Sequence, residues 1–132
     1  VRGSAETAVV AVDHDSRKVG RGGLFVAVPG FTTDAHTFLP QIAAAGAGAV
    51  IVQRDRAELW RNLQGPAVVA VDDSRKALAS AAAWFFGHPG REMVVVGITG
   101  TDGKTTTSHL VTSVLASLGT VAGFQLAELL QL

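Results

Sequence analysis

The stretch Gly97-Ile98-Thr99-Gly100-Thr101-Asp102-Gly103-Lys104-Thr105-Thr106-Thr107 stands between a β-branched apolar run, residues 93–98, and a segment with Leu110, Val111, Val114, Leu115 and Leu118 at helical spacing. That order predicts a strand, a glycine loop and a helix, the context in which backbone amides turn toward a phosphate. Glycines fall at Gly97, Gly100 and Gly103, giving G-x-x-G-T-x-G-K-T; Ile98 stands where the strict G-x-x-x-x-G-K-[ST] pattern has its first glycine. The candidate nucleotide-binding residues are Gly100, Thr101, Asp102, Gly103, Lys104, Thr105 and Thr106. Lys104 would reach the terminal phosphates of ATP, the Thr105 hydroxyl would sit on Mg²⁺, and the helix that follows aims its positive end at the anion.

Working toward the amino terminus, short apolar runs at residues 9–12, 24–28, 49–52 and 67–71 are each closed by turn residues and read as buried strands. Between them, Phe38, Leu39, Ile42 and Ala45 keep helical spacing, with Gly46 where a left-handed cap falls. Glu58, Leu59 and Trp60 suggest a turn or two of helix within 53–64. Asp73 or Ser74 caps a helix lined by Ala77, Leu78, Ala81 and Phe85, which stops before Gly87-His88-Pro89-Gly90. The alternation predicts an α/β architecture with mostly parallel sheets. The Gly/Pro cluster marks the boundary between a small N-terminal α/β domain, residues 1–88, and the start of a P-loop α/β domain, residues 89–132.

Bulk properties exclude several function classes. The 132 residues are 48% apolar and 17% charged, an ordinary globular composition. Eleven basic residues balance eleven acidic ones, so there is no electrostatic footprint for nucleic acid or an anionic membrane, and any phosphate must be held locally. No cysteine is present, which removes disulfides, thiolate nucleophiles and thiolate metal sites. No apolar run is long enough to span a bilayer, and residues 1–7 lack the basic and apolar regions of a signal peptide. These features agree with a cytoplasmic protein.

Four further segments occur in register: Asp15-Ser16-Arg17-Lys18-Val19, Gly23-Leu24-Phe25-Val26-Ala27-Val28-Pro29-Gly30, Asp34-Ala35-His36-Thr37-Phe38 and Gly46-Ala47-Gly48-Ala49-Val50. In order and spacing they resemble the D-S-R-x-V, G-x-L-F-V-A, D-G-H-x-F and G-A pattern of Mur ligase N-terminal domains. The phosphate loop resembles that family's G-x-T-G-T-N-G-K-T-T, with Asp102 in place of Asn. The loop alone is also similar to those of folylpolyglutamate and cyanophycin synthetases; the N-terminal matches favour the Mur ligases. Within the family, the G-I-T-G-T form is most similar to the enzymes of MurE type, which add the third residue to UDP-MurNAc-L-Ala-D-Glu. The D-Ala-D-Ala-adding type is the alternative.

The resemblance implies an ATP-dependent amide ligase of peptidoglycan precursor synthesis. The substrate carboxylate attacks the γ-phosphate to give an acyl phosphate, and an amino acid displaces phosphate. It also implies ATP and Mg²⁺ as cofactors, a UDP-MurNAc-dipeptide and an amino acid as partners, and a monomer in the cytoplasm that binds neither nucleic acid nor membrane. The uridine diphosphate end would be held by Ser16 and by Phe31, Thr32 and Thr33, with Lys104 as the catalytic residue and Thr105 as metal ligand. Ala35 departs from the family's Gly. The metal-binding Glu and His, the carbamylated Lys and the C-terminal amino-acid-selecting domain would all follow the phosphate loop, so the 132 residues read as an N-terminal fragment, inactive alone. Residues 125–130 look helical.

Several side chains carry plainer readings. Asp15 and Arg17 can form a turn-stabilising pair, and His14, His88 and His109 have no second ligand at metal spacing. His36 divides evenly between a turn contact and a substrate contact. Trp60, Trp84, Phe85 and Phe86 are expected in core or domain-junction packing. Two rival functions remain open: a non-catalytic sugar-nucleotide module, and a generic P-loop NTPase.

Overall fold

The computed structural model describes residues 1–119; the helix expected over 125–130 lies outside them. The chain divides into two compact units, Val1–Met93 and a second beginning at Val94. The first holds a four-stranded sheet of β1 (Val12–Asp13), β2 (Leu24–Val26), β3 (Ala49–Gln53) and β4 (Ala67–Val71). The strands pair in sequence order, and every pairing is parallel. Register places Phe25 beside Val50 and Val50 beside Val68. Because side chains alternate along a strand, these three form one row on one face.

Helix α1 (Leu39–Ala44) joins β2 to β3 and α2 (Ala57–Trp60) joins β3 to β4. Right-handed crossovers between strands that advance in one direction put both helices on the same face. Leu39 and Ile42 of α1 accordingly pack with Phe25, Val50, Val52 and Val68, and Trp60 of α2 closes the same cluster. Each fully buried Phe, Leu, Ile or Val contributes about 1.5–3 kcal/mol relative to exposure. Gly46, at φ 81°, ends the α1 region in the left-handed conformation expected of it.

Helix α3 (Ser74–Phe85) follows β4 and turns back across β3, β2 and β1. Its first residue, Ser74, is buried and its hydroxyl donates to Gln53 Oε1 at 3.2 Å. Gln53 shares parity with Ile51, so α3 begins on the face opposite α1, where Val26 and Ile51 are also buried. Asp73 caps the helix by accepting from Lys76 N at 3.0 Å. At the other side of the sheet, Arg2 forms an antiparallel bridge with Val68, and its guanidinium donates to the carbonyls of Arg61 and Leu63.

Three expectations are corrected. The strand read at 9–12 starts at Val12, because Gly22, at φ 74°, takes the neighbouring chain out of the extended conformation and the ladder begins only at Leu24. Residues 93–98 form no strand: a strand is stabilised by a neighbour's hydrogen bonds, and among the described residues they have none, with Val94 93% exposed. Trp84 and Phe86 are not in the core: both are exposed in the described residues, Trp84 in the last turn of α3 and Phe86 at its C-cap. Phe85 is half-buried and meets Phe86 edge to face, with centroids 5.2 Å apart.

In the second unit, α4 (Lys104–Ser117) starts where the glycine loop ends. Leu110 and Val114 on it, and Leu118 at its C-cap, are exposed. Among the described residues no helix is long and apolar enough to cross a membrane.

Candidate functional site

In an all-parallel sheet the carboxyl ends of the strands open on one edge, where ligands of α/β folds gather. Four loops meet that edge here. The first follows β1. Asp13 Oδ1 accepts from the amides of His14 at 2.8 Å and Asp15 at 2.9 Å. The Asp15 carboxylate takes Arg17 in a fork, Nε at 2.9 Å and Nη2 at 2.7 Å, and also the Arg17 amide at 3.0 Å. The Arg17 side chain, then its amide, hold the Asp15 carboxyl far below the usual carboxylate range. Asp15 and Arg17 are therefore the turn-stabilising pair. Ser16, half-buried between them, makes no side-chain hydrogen bond among the described residues.

The loop after β2 is a tight hairpin. Pro29 bridges Asp34, and Gly30 N donates to Thr33 O at 3.1 Å. A Cβ on Gly30 would stand 2.6 Å from that same oxygen, so glycine is required for the closure. The tip presents Phe31, 77% exposed, together with exposed Thr32 and Thr33. Ser16 and Phe31, Thr32 and Thr33 thus follow neighbouring parallel strands at the same edge.

Behind the hairpin lies a buried polar network. Asp34 caps the 3₁₀ turn Ala35–Phe38 by accepting from His36 N at 2.9 Å. His36 is fully buried; its Nδ1 meets Asp34 Oδ1 at 2.5 Å, and its Nε2 accepts from Gln53 N at 2.8 Å. An Nε2 that accepts leaves the proton on Nδ1, which donates to Asp34. Arg56 Nε donates to the other Asp34 oxygen at 3.0 Å. Burial pushes the Asp34 carboxyl up, but the His36 amide and ring and the Arg56 guanidinium outweigh it and leave the group below its ordinary value. Both ring nitrogens of His36 are occupied, so the turn contact is its role, and no face of it reaches a substrate. Trp60 is tied to the same strand end, Nε1 donating to Gln53 O at 2.9 Å.

The fourth loop enters α3. Here Asp73-Ser74-Arg75 repeats the tripeptide Asp15-Ser16-Arg17 with different wiring. Asp73 caps the helix and pairs with Lys76 at 3.5 Å. Arg75 Nη2 instead donates to Pro29 O at 2.7 Å, at the root of the hairpin. The sequence reading passed over Arg75; the recurrence of D-S-R after a second strand was the signal.

The other candidate residues belong to the second unit. Residues 97–103 are an irregular loop, with Gly100 at φ 153° and Gly103 at φ 75°. Gly103 is the N-cap of α4 and has no side chain to cap with, so the first-turn amides of Lys104, Thr105 and Thr106 lack intrahelical partners; the first closed bond runs from Thr107 N to Gly103 O at 2.9 Å. Lys104 Nζ folds over the loop and donates to Gly100 O at 2.5 Å and Thr101 O at 3.0 Å. Thr101, Asp102, Thr105 and Thr106 are exposed. The arrangement offers an ammonium, free helix-end amides and a hydroxyl within one short segment, the donor set of an anion site. Among the described residues no three His, Cys, Asp or Glu side chains form a cation cluster.

Known proteins resemble this chain in both sequence and fold. The chain is 46% identical over 115 residues to a UDP-N-acetylmuramyl-tripeptide synthetase of Roseiflexus sp., and 39% identical over 115 residues to a UDP-N-acetylmuramoyl-L-alanyl-D-glutamate–2,6-diaminopimelate ligase of Bacillus cereus. Each match covers 87% of this chain, which spans 22% of the length of either relative. Among solved structures, the MurF ligase of Thermotoga maritima, in complex with ADP, is similar with a TM-score of 0.59 and 30% identity, covering 84% of this chain and 24% of that one. Residues 8–97 match the family described as Mur ligase family, catalytic domain. That match takes in the whole four-stranded sheet and the carboxyl-edge loops, and on it the chain belongs to the Mur ligase family.

Proposed function

We propose that the chain supplies the nucleotide-anchoring parts of an ATP-dependent amide ligase of peptidoglycan precursor synthesis. That ligase adds the third amino acid to UDP-MurNAc-L-Ala-D-Glu. Residues 1–88 form the UDP-sugar-peptide binding domain, and residues 89–132 begin the ATP-binding domain. Ser16, Phe31, Thr32 and Thr33 receive uridine diphosphate: Phe31 offers an exposed face for the base, and the hydroxyls and free amides serve base edges and phosphate oxygens. The observation that carries this reading is that the Gly30–Thr33 hairpin and the Ser16 turn follow adjacent strand ends at the same edge.

For the second nucleotide, Gly100, Thr101, Asp102, Gly103, Lys104, Thr105 and Thr106 cradle the phosphates of ATP. Lys104 exchanges the loop carbonyls for β- and γ-phosphate oxygens, stabilising the charge that develops as the substrate carboxylate attacks the γ-phosphorus. The carboxylate gains the phosphoryl group and ADP leaves; the amine of the amino acid then forms the amide and expels phosphate. Hard oxygen donors suit Mg²⁺, and the exposed Thr105 hydroxyl at the helix start is the residue that would hold it. Bound there, Mg²⁺ supplies charge neutralisation at the phosphates. The protein acts in the cytoplasm as a monomer.

Support for the third-residue step comes from the 39–46% identity to the Roseiflexus and Bacillus relatives. The likeness to MurF at 30% identity favours a second reading, addition of D-Ala-D-Ala. In a full-length ligase carrying these residues, phosphate release that depends on UDP-MurNAc-L-Ala-D-Glu and diaminopimelate or lysine supports the first. Release that depends on the UDP-MurNAc-tripeptide and D-Ala-D-Ala supports the second. Release that needs neither substrate defeats both.

A further inference from the structure

We propose that Arg75 is the cation that neutralises the diphosphate at the carboxyl edge of the sheet, an inference that rests on that edge being a uridine diphosphate site. A diphosphate ester carries more than one negative charge, whereas Ser16, Phe31, Thr32 and Thr33 carry none. Hydroxyls and amides can bind its oxygens, but a basic side chain is what neutralises its charge, and the ion pairs decide which is free to do so. Arg17 is forked onto Asp15. Arg54 is paired with Asp72 at 2.9 Å, Arg56 with Asp34 at 3.0 Å, and Lys76 with Asp73 at 3.5 Å. Lys18 lies within electrostatic reach of Asp15. Among the described residues Arg75 alone of the arginines at this edge has no carboxylate partner.

Its position fits the task. Arg75 leaves the first turn of α3 and donates through Nη2 to Pro29 O at 2.7 Å, at the root of the hairpin that carries Phe31, Thr32 and Thr33. A carbonyl holds the guanidinium in place without cancelling its charge. The remaining N–H groups of the planar fork are then pre-set for phosphate oxygens, which arginine binds in bidentate fashion. The contrast with the first D-S-R is instructive. There the arginine closes on its own aspartate; here capping of α3 and Lys76 occupy the aspartate, and the arginine is released.

The test uses the 132-residue chain and two probes, uridine diphosphate and uridine, titrated calorimetrically against the wild type, Arg75→Gln, Arg75→Lys and Lys18→Gln. The charge-assisted bonds lost in Arg75→Gln weaken uridine diphosphate binding by about ten- to hundredfold. Uridine affinity is unchanged, Arg75→Lys falls between wild type and Arg75→Gln, and Lys18→Gln binds as the wild type does. The thermal midpoint of each variant checks folding, which an exposed side chain leaves intact. Equal affinity of wild type and Arg75→Gln for uridine diphosphate overturns the proposal. So does an equal loss for both probes, since Arg75 would then only shape the hairpin, and so does a larger loss in Lys18→Gln. A wild type that binds neither probe removes the uridine diphosphate reading of the edge, and Arg75 with it.

Discussion

Replacing His36 by Phe keeps a flat ring of similar bulk in a fully buried position and removes both polar contacts. Gln53 N–H, 2.8 Å from Nε2, then faces a hydrocarbon. An amide buried without an acceptor costs about 1–3 kcal/mol. Asp34 loses its 2.5 Å contact but retains the His36 amide and Arg56, and its side chain is 25% exposed, so water replaces part of what is lost; about 1 kcal/mol is a fair allowance. The sum, about 2–4 kcal/mol, lowers the thermal midpoint of a unit of this size by about 10–25 °C. Urea unfolding followed by tryptophan fluorescence measures it directly, because Trp60 is bonded to Gln53 O and packed on the core at the same strand end. His36→Gln, whose Oε1 can still accept from Gln53 N–H, recovers part of the loss. A His36→Phe midpoint within about 1 kcal/mol of wild type at unchanged denaturant slope refutes the account of the network.

Three further outcomes are expected. Gly30→Ala places a methyl 2.6 Å from Thr33 O, opens the hairpin and weakens uridine diphosphate binding, while amide exchange in β3 and β4 stays as in the wild type. Asp34 has a folded value below its unfolded one, so its contribution to stability is complete above the ordinary carboxylate range and is lost as pH falls through the lowered value; Asp34→Asn flattens that acid limb in unfolding measured from pH 7 downward. Lys104→Ala in a full-length ligase abolishes ATP-dependent phosphate release and leaves uridine diphosphate affinity intact, and retention of ATP binding by that variant defeats the phosphate-loop assignment.

Much of the first unit could be read without coordinates because its signals are local. The runs that became β3 and β4 are apolar on both faces, as parallel strands are, and Asp73 and Gly46 punctuate the helices at positions set by backbone geometry alone. What escaped depends on partners distant in sequence. His36 became a structural residue through an amide 17 positions away, and Arg75 gained its place through a carbonyl 46 positions away. Residues 93–98 have the composition of a strand, but composition does not supply the neighbouring chain that a strand requires. The exposed hairpin tip was legible in outline from Pro29-Gly30, whereas the closeness of Gly30 to Thr33 O belongs to the folded turn.

The strand order bears on how the first unit assembles. Each neighbour in the sheet is also the next strand in the chain, Val12 with Leu24, Leu24 with Ala49, Ala49 with Ala67, so the ladder grows by successive short loop closures. Formation can therefore follow the order of synthesis, each strand docking on the one made just before it. Arg2 breaks that pattern: its bridge to Val68 joins early-made residues to the last strand and closes only after β4 is in place. The segment around Arg2 thus acts as a latch on a finished sheet, and amide exchange at Arg2 reports completion of the unit rather than its nucleation.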